Sequence, residues 1–119
     1  MAEKTIKIFI SQPMTGRKDD VVKKEREDIE EICRWKYGEN IQILDTFIEG
    51  WTEKEEYTSK KPLWFLGHCM EALSEADVVV YTSGWESSKG CRLEREACKI
   101  YSIPLISLED LREEYQLKK

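Results

Sequence analysis

The sequence predicts an α/β domain: a mostly parallel, four-stranded sheet with helices on both faces. Three observations carry this. Short β-rich apolar runs alternate four times with stretches of helical periodicity, the pattern of right-handed crossovers between parallel strands. One run, "DVVVYTS" at 77–83, is continuously apolar, as a strand buried on both faces should be. A chain of 119 residues suits a single core, so residues 1–119 are read as one domain.

The elements follow in order. "IKIFI" (6–10) is the first strand, and "SQPMTGR" (11–17) is a loop broken by Pro13 and Gly16. Residues 19–36 read as a helix opened by Asp19 and Asp20, with an inner stripe of Val22, Ile29 and Cys33 and a dense charged face read as solvated. "IQIL" (41–44) is the second strand. Residues 45–61 are polar and irregular, long for a connection in so small a domain; such loops are often functional, or else a surface excursion. Pro62 starts a helix through Ala76, since proline suits a first turn. After the third strand comes a helix from Ser88 to Tyr101. "IPLISL" (103–108) holds the fourth strand, and "EDLREEYQL" is a terminal helix. Ligands of such sheets bind beyond the carboxyl ends of the strands, where strand order reverses. Loops 11–17, 45–61 and 83–90 are expected there.

Composition excludes several functions. Hydrophobic residues are 40% and charged residues 36%, the balance of a soluble globular protein. The net charge of -5 argues against a nucleic-acid polymer as partner. No apolar run approaches the ~20 residues of a membrane span, and the apolar stretch of "MAEKTIKIFI" is too short for a signal peptide. A cytoplasmic protein with no membrane partner is expected. Cys33, Cys69, Cys91 and Cys98 form no CxxC, and His68 is the one histidine, so neither a metal nor another cofactor is expected. The cysteines read as reduced thiols, each a small buried apolar residue.

"GCRLEREAC" (90–98) carries two glutamates. At 100° per residue, with Glu94 at zero, Leu93, Ala97, Ile100 and Tyr101 fall between about -120° and -20°, and Cys98 and Cys91 at about +40° and +60°. Glu94 lies inside this apolar arc, whereas Arg92, Arg95, Glu96 and Lys99 fall opposite. Glu96 thus has an exposed ion-pair setting. A carboxylate on a buried face costs several kcal/mol unless it is paired or serves a purpose. Glu94 is therefore either a carboxylate with a function or a buried acid bonded to a backbone group or to Tyr101. Desolvation would raise its pKa and the helix dipole would lower it, so the sign is open at this stage.

"IFISQPMTG" followed by "ADVVVYTSGWESSKGCRLEREA" resembles the nucleoside 2-deoxyribosyltransferase-like superfamily, in particular a small branch found in phage genomes. The order of elements matches over roughly the whole chain. The resemblance implies a doubly wound (Rossmann/flavodoxin-like) fold, a homo-oligomer whose pockets a neighbouring chain completes, and a small nucleoside or nucleotide as ligand. It assigns Glu94, four residues past Gly90, as the nucleophile that attacks the anomeric carbon of a deoxyribosyl group and forms a sugar ester. Ser88, where relatives acting on free nucleosides carry aspartate, leans toward a phosphorylated ligand. Ser11, Gln12, Pro13, Met14, Thr15, Gly16, Arg17, Ser87, Lys89 and Gly90 complete the expected rim, and Trp85 is placed to stack on a base.

The sequence departs from the family at two places. Relatives commonly carry an aspartate eight residues before the "AD" aspartate, where it helps protonate the leaving base; counting back from Asp77 gives Cys69. Asp45, at the end of the second strand, is the alternative acid. Gln12 replaces a small residue, which would narrow the pocket. Three readings stand: an enzyme of the N-glycosidic bond, a protein that only holds a nucleotide-derived signal of the cyclic ADP-ribose type, and an inert α/β domain.

Overall fold

A computed structural model describes residues 4–13, 16–44, 46 and 61–118 of the chain. Among them, strands β1 (Ile6–Ser11), β2 (Ile41–Ile43), β3 (Val78–Tyr81) and β4 (Leu105–Ser107) form one sheet in the order β2–β1–β3–β4. Every pairing is parallel. Helices α1 (Asp19–Tyr37), α2 (Lys61–Leu73), α3 (Lys89–Ile100) and α4 (Leu108–Lys118) connect or follow the strands. A 3₁₀ turn (Trp85–Ser87) precedes α3. The parallel sheet read from the alternation, and the doubly wound α/β fold that the resemblance implies, are what is observed.

The central strands explain the two-sided core. Successive side chains on a strand point to opposite faces. Ile8, Ile10, Val78 and Val80 pack on one side with Ile29, Ile32 and Cys33 of α1 and Leu108 and Leu111 of α4. Phe9 and Val79 pack on the other with Cys69 and Leu73 of α2 and Cys98 of α3. Each such fully buried aliphatic or aromatic side chain contributes about 1.5–3 kcal/mol. This is why β1 and β3 read as unbroken apolar runs.

Element ends differ from the expected ones by a few residues, for local reasons. Helix α1 runs to Tyr37 because Gly38, at φ 95°, lets its N–H reach Arg34 O at 3.0 Å. Helix α2 ends at Leu73; Glu75 and Ala76 make tighter bonds to Ala72 and Leu73. Strand β3 begins after Asp77, whose Oδ2 accepts from Lys7 N at 2.8 Å. Asp77 thus ties β1 to β3 at the amino edge, opposite the crevice. The 3₁₀ turn was not expected from the sequence. The expected loop at 45–61 lies outside the described residues apart from Thr46 and the first residue of α2.

The chain passes from β1 by α1 to β2 on one side, then from β2 by α2 back across β1 to β3 on the other, so the order reverses between β1 and β3. The crevice beyond Ser11 and Tyr81 is therefore the topological switch point.

Candidate active site

Ser11 is the last residue of β1, paired in register with Tyr81 of β3. Helix α3 begins beside it. Gly84 adopts the left-handed φ of 88° that a side chain would strain, and a Cβ there would stand 3.6 Å from Pro13 Cγ. The loop after β3 is thereby folded against the loop after β1. Ser88 then caps α3, its hydroxyl accepting from Cys91 N at 3.2 Å.

This start directs Glu94 inward. Glu94 is only 6% exposed. The Ser11 hydroxyl, itself 2% exposed, donates to Glu94 Oε1 at 2.7 Å. Cys69 of α2 and the charge of Arg26 of α1 also act on the carboxylate, both favouring its ionised form. Burial raises the Glu94 pKa to about 7, against the pull of Ser11, Cys69 and Arg26 in the other direction. The sign left open by the sequence is thus upward. Burial, with the Glu94 charge, pushes the Cys69 thiol up to about 12, so it is a neutral thiol at physiological pH. Cys91 is raised by burial too, and Cys98 reaches about 11.

The floor beside Glu94 is a second network. Gln12, 5% exposed, donates through Nε2 to Glu25 Oε1 at 2.8 Å, and its Oε1 accepts from Arg26 Nε. Arg26 Nη2 donates to the buried Thr46 Oγ1 at 2.7 Å. Arg17 Nη1 donates to Pro13 O at 3.0 Å and to Glu25 Oε1 at 3.1 Å. Helix α1 thereby locks the loop after β1.

The chain matches the family described as Domain of unknown function (DUF4406) over residues 6–107. It belongs to that family. No curated protein matches it, and no solved structure does. The DUF4406 match spans every strand and all of the network around Glu94.

Within this DUF4406 domain, Glu94 and Ser11 are in direct contact. Gln12 is consumed in cross-linking Glu25 to Arg26. Pro13 offers its carbonyl to Arg17. Gly16 turns the loop at φ 81°. Ser88 and Gly90 lie at the start of α3, half-buried, and Ser87 and Lys89 are exposed beside them. Met14, Thr15 and Asp45 lie outside the described residues.

Trp85 differs from its simple role as a base platform. The Arg95 guanidinium sits 4.3 Å from the Trp85 ring centroid and 4.5 Å from that of Tyr81. Arg95 was grouped with the solvent-facing charges and is instead half-buried. The reason is that the buried arc of α3 is rotated from the apolar arc. Cys91, Glu94 and Cys98 face inward, and Arg95 borders them at about +100°. Leu93, Ile100 and Tyr101, on the other side of Glu94, are exposed. Tyr101, 76% exposed, is therefore no partner for Glu94. Glu96 is exposed, as the wheel placed it. His68 is exposed and stacks on Trp64, with ring centroids 6.0 Å apart, so it does not stand in for an acid beside Glu94.

Sequence reasoning missed Arg26 and Thr46 as well as the effect of Cys69 on Glu94. Arg26 had a usable signal: it lies four residues past Val22 and three before Ile29, on the inner stripe. Thr46 had none, because its role depends on where α1 places Arg26. Among the described residues, no group of three or more His, Cys, Asp or Glu is placed to hold a metal ion. No helix among them is long and apolar enough to cross a membrane.

Proposed function

We propose that this domain belongs to the nucleoside 2-deoxyribosyltransferase-like superfamily and cleaves or transfers at the N-glycosidic bond of a nucleotide-type ligand, with Glu94 as nucleophile. The observation that carries the reading is the Glu94 carboxylate, buried at the topological switch point and held by Ser11 Oγ at 2.7 Å. A carboxylate held by a hydroxyl donor at this end of the sheet is set to meet a carbon on which positive charge develops. Glu94 attacks the anomeric carbon, the bond to the base breaks, and the sugar ester then passes to water or to a second base. The hydroxyls of Ser87 and Ser88, with Lys89 and the start of α3, receive the anionic end of the ligand. A neighbouring chain in a homo-oligomer completes the pocket, and the protein works in a reducing cytoplasm, where its thiols stay free.

The test is release of free base from deoxynucleoside 5′-monophosphates, followed by chromatography. Base release that Glu94→Gln abolishes, with ligand binding retained, supports the reading. Ligand binding that raises the melting temperature with no base released supports the second reading, a protein that holds a nucleotide-derived signal without turning it over. That reading is favoured by one observation: the thiol of Cys69 acts on Glu94 where relatives carry an acid.

A further inference from the structure

We propose, resting on the reading above, that Arg95, Tyr81 and Trp85 form a site for a second phosphate of the ligand. The ligand class is then a nucleoside diphosphate. The Arg95 guanidinium lies 4.5 Å from the Tyr81 ring centroid and 4.3 Å from that of Trp85. The two rings meet edge to face, with centroids 6.4 Å apart. Tyr81 ends β3 in register with Ser11, and Trp85 opens the 3₁₀ turn that also carries Ser87. The side chain of Arg95 thus reaches back along α3 and holds its charge at the carboxyl edge of the sheet. It stands beside the turn to which the first phosphate is assigned.

The guanidinium is held in place without an acceptor. Its Nε and Nη1 are sealed from solvent and meet no hydrogen-bond partner among the described residues. Arg17, Arg26 and Arg34, by contrast, each donate to a carboxylate or hydroxyl: Glu25, Thr46 and Glu30. Of the acids near Arg95 in sequence, Glu86 and Glu96 are exposed and Glu94 is bonded to Ser11. Aromatic rings attract the cation by their faces but leave its in-plane N–H donors unanswered. A charged donor left so is unfavourable. Arg92 and Lys99, three residues before and four after, add like charge on the same side of α3, which is unfavourable by itself. A bound phosphate reverses both effects, because its oxygens match the planar donor set of arginine. It reaches the guanidinium at Nη2, which lies outside the sealed pair. One phosphate at Ser87, Ser88 and Lys89 leaves this charge unanswered; a diphosphate extends to it.

Calorimetry tests the site with inorganic phosphate and pyrophosphate, which have no glycosidic bond to lose, and with the 5′-mono- and diphosphates of deoxyadenosine and thymidine. Pyrophosphate should bind at least ~10-fold more tightly than phosphate, and each nucleoside diphosphate at least ~10-fold more tightly than its monophosphate. The diphosphates should also bind more tightly than pyrophosphate alone. In Arg95→Gln each preference should shrink to within ~2-fold while monophosphate binding is kept, and Arg95→Lys should restore part of it. In the wild-type protein, pyrophosphate should shift the Arg95 Nε–H resonance, a readout that stands even if Arg95→Gln fails to fold. Equal affinities in the wild type, a preference that survives in Arg95→Gln, or an unmoved Arg95 resonance overturns the site. Diphosphates bound no better than pyrophosphate overturn the nucleotide class. Base release is read separately: its absence with the preference intact sinks the parent reading alone, and Glu94-dependent release without the preference sinks the Arg95 site alone.

Discussion

Ser11 Oγ donates a 2.7 Å hydrogen bond to Glu94 Oε1, joining the last residue of β1 to the second turn of α3 across 83 positions of sequence. The bond fixes one carboxylate oxygen at the sheet side. Removing its donor has a calculable direction. In Ser11→Ala, Glu94 loses a group that favours its charged form, so its pKa should climb above about 7. Titration of the Glu94 carboxyl carbon by NMR checks this. A midpoint unchanged from wild type would mean that Ser11 does not hold the ionised carboxylate.

The raised Glu94 pKa makes a statement about stability. Burial takes the group from an ordinary 4.5 to about 7, so between these values the folded state binds more protons than the unfolded one. Stability should fall as pH rises through this window, by on the order of 3 kcal/mol in total. Glu94→Gln keeps an acceptor for Ser11 and cannot ionise. Urea denaturation at pH 5 and pH 8 should show the wild type losing stability relative to this variant. Parallel curves would place the Glu94 pKa near its ordinary value.

Adjacent charges on α3 should behave in opposite ways. Arg95 lies against the rings of Tyr81 and Trp85, so Arg95→Ala should cost ~1–2 kcal/mol by chemical denaturation. Glu96 is exposed, and Glu96→Ala should stay within ~0.5 kcal/mol. Equal losses would mean that the rotated buried arc of α3 is wrong.

Arg26 joins Gln12 to Thr46 and adds positive charge near Glu94. Arg26→Gln should raise the Glu94 midpoint in the same NMR titration and lower stability by ~1–3 kcal/mol, since Gln12 and Thr46 lose a charged donor. A stability loss with no movement of the midpoint would confine Arg26 to holding the loop.

The fold was legible because its causes are local and periodic. Ile8, Phe9 and Ile10 each bury on one face or the other, and that two-sided burial is written as an unbroken apolar run. Glu94 was legible for a related reason, as a charge out of phase on its helix. Arg95 was misjudged because a helical wheel sees only its own helix, and the rings that cover Arg95 come from β3 and the 3₁₀ turn. The effect of Cys69 on Glu94 was equally hidden, since the crossing of α2 and α3 sets it. Burial against a neighbouring element leaves no period in a single segment.

The most direct test of Glu94 as nucleophile is an intact-mass spectrum of the protein quenched during turnover of a slow 2-fluoro-substituted nucleotide, followed by peptide mapping. The account predicts one added sugar-phosphate mass on the peptide that carries Glu94, and none in Glu94→Gln. Base release with no adduct, or an adduct on another residue, would contradict it.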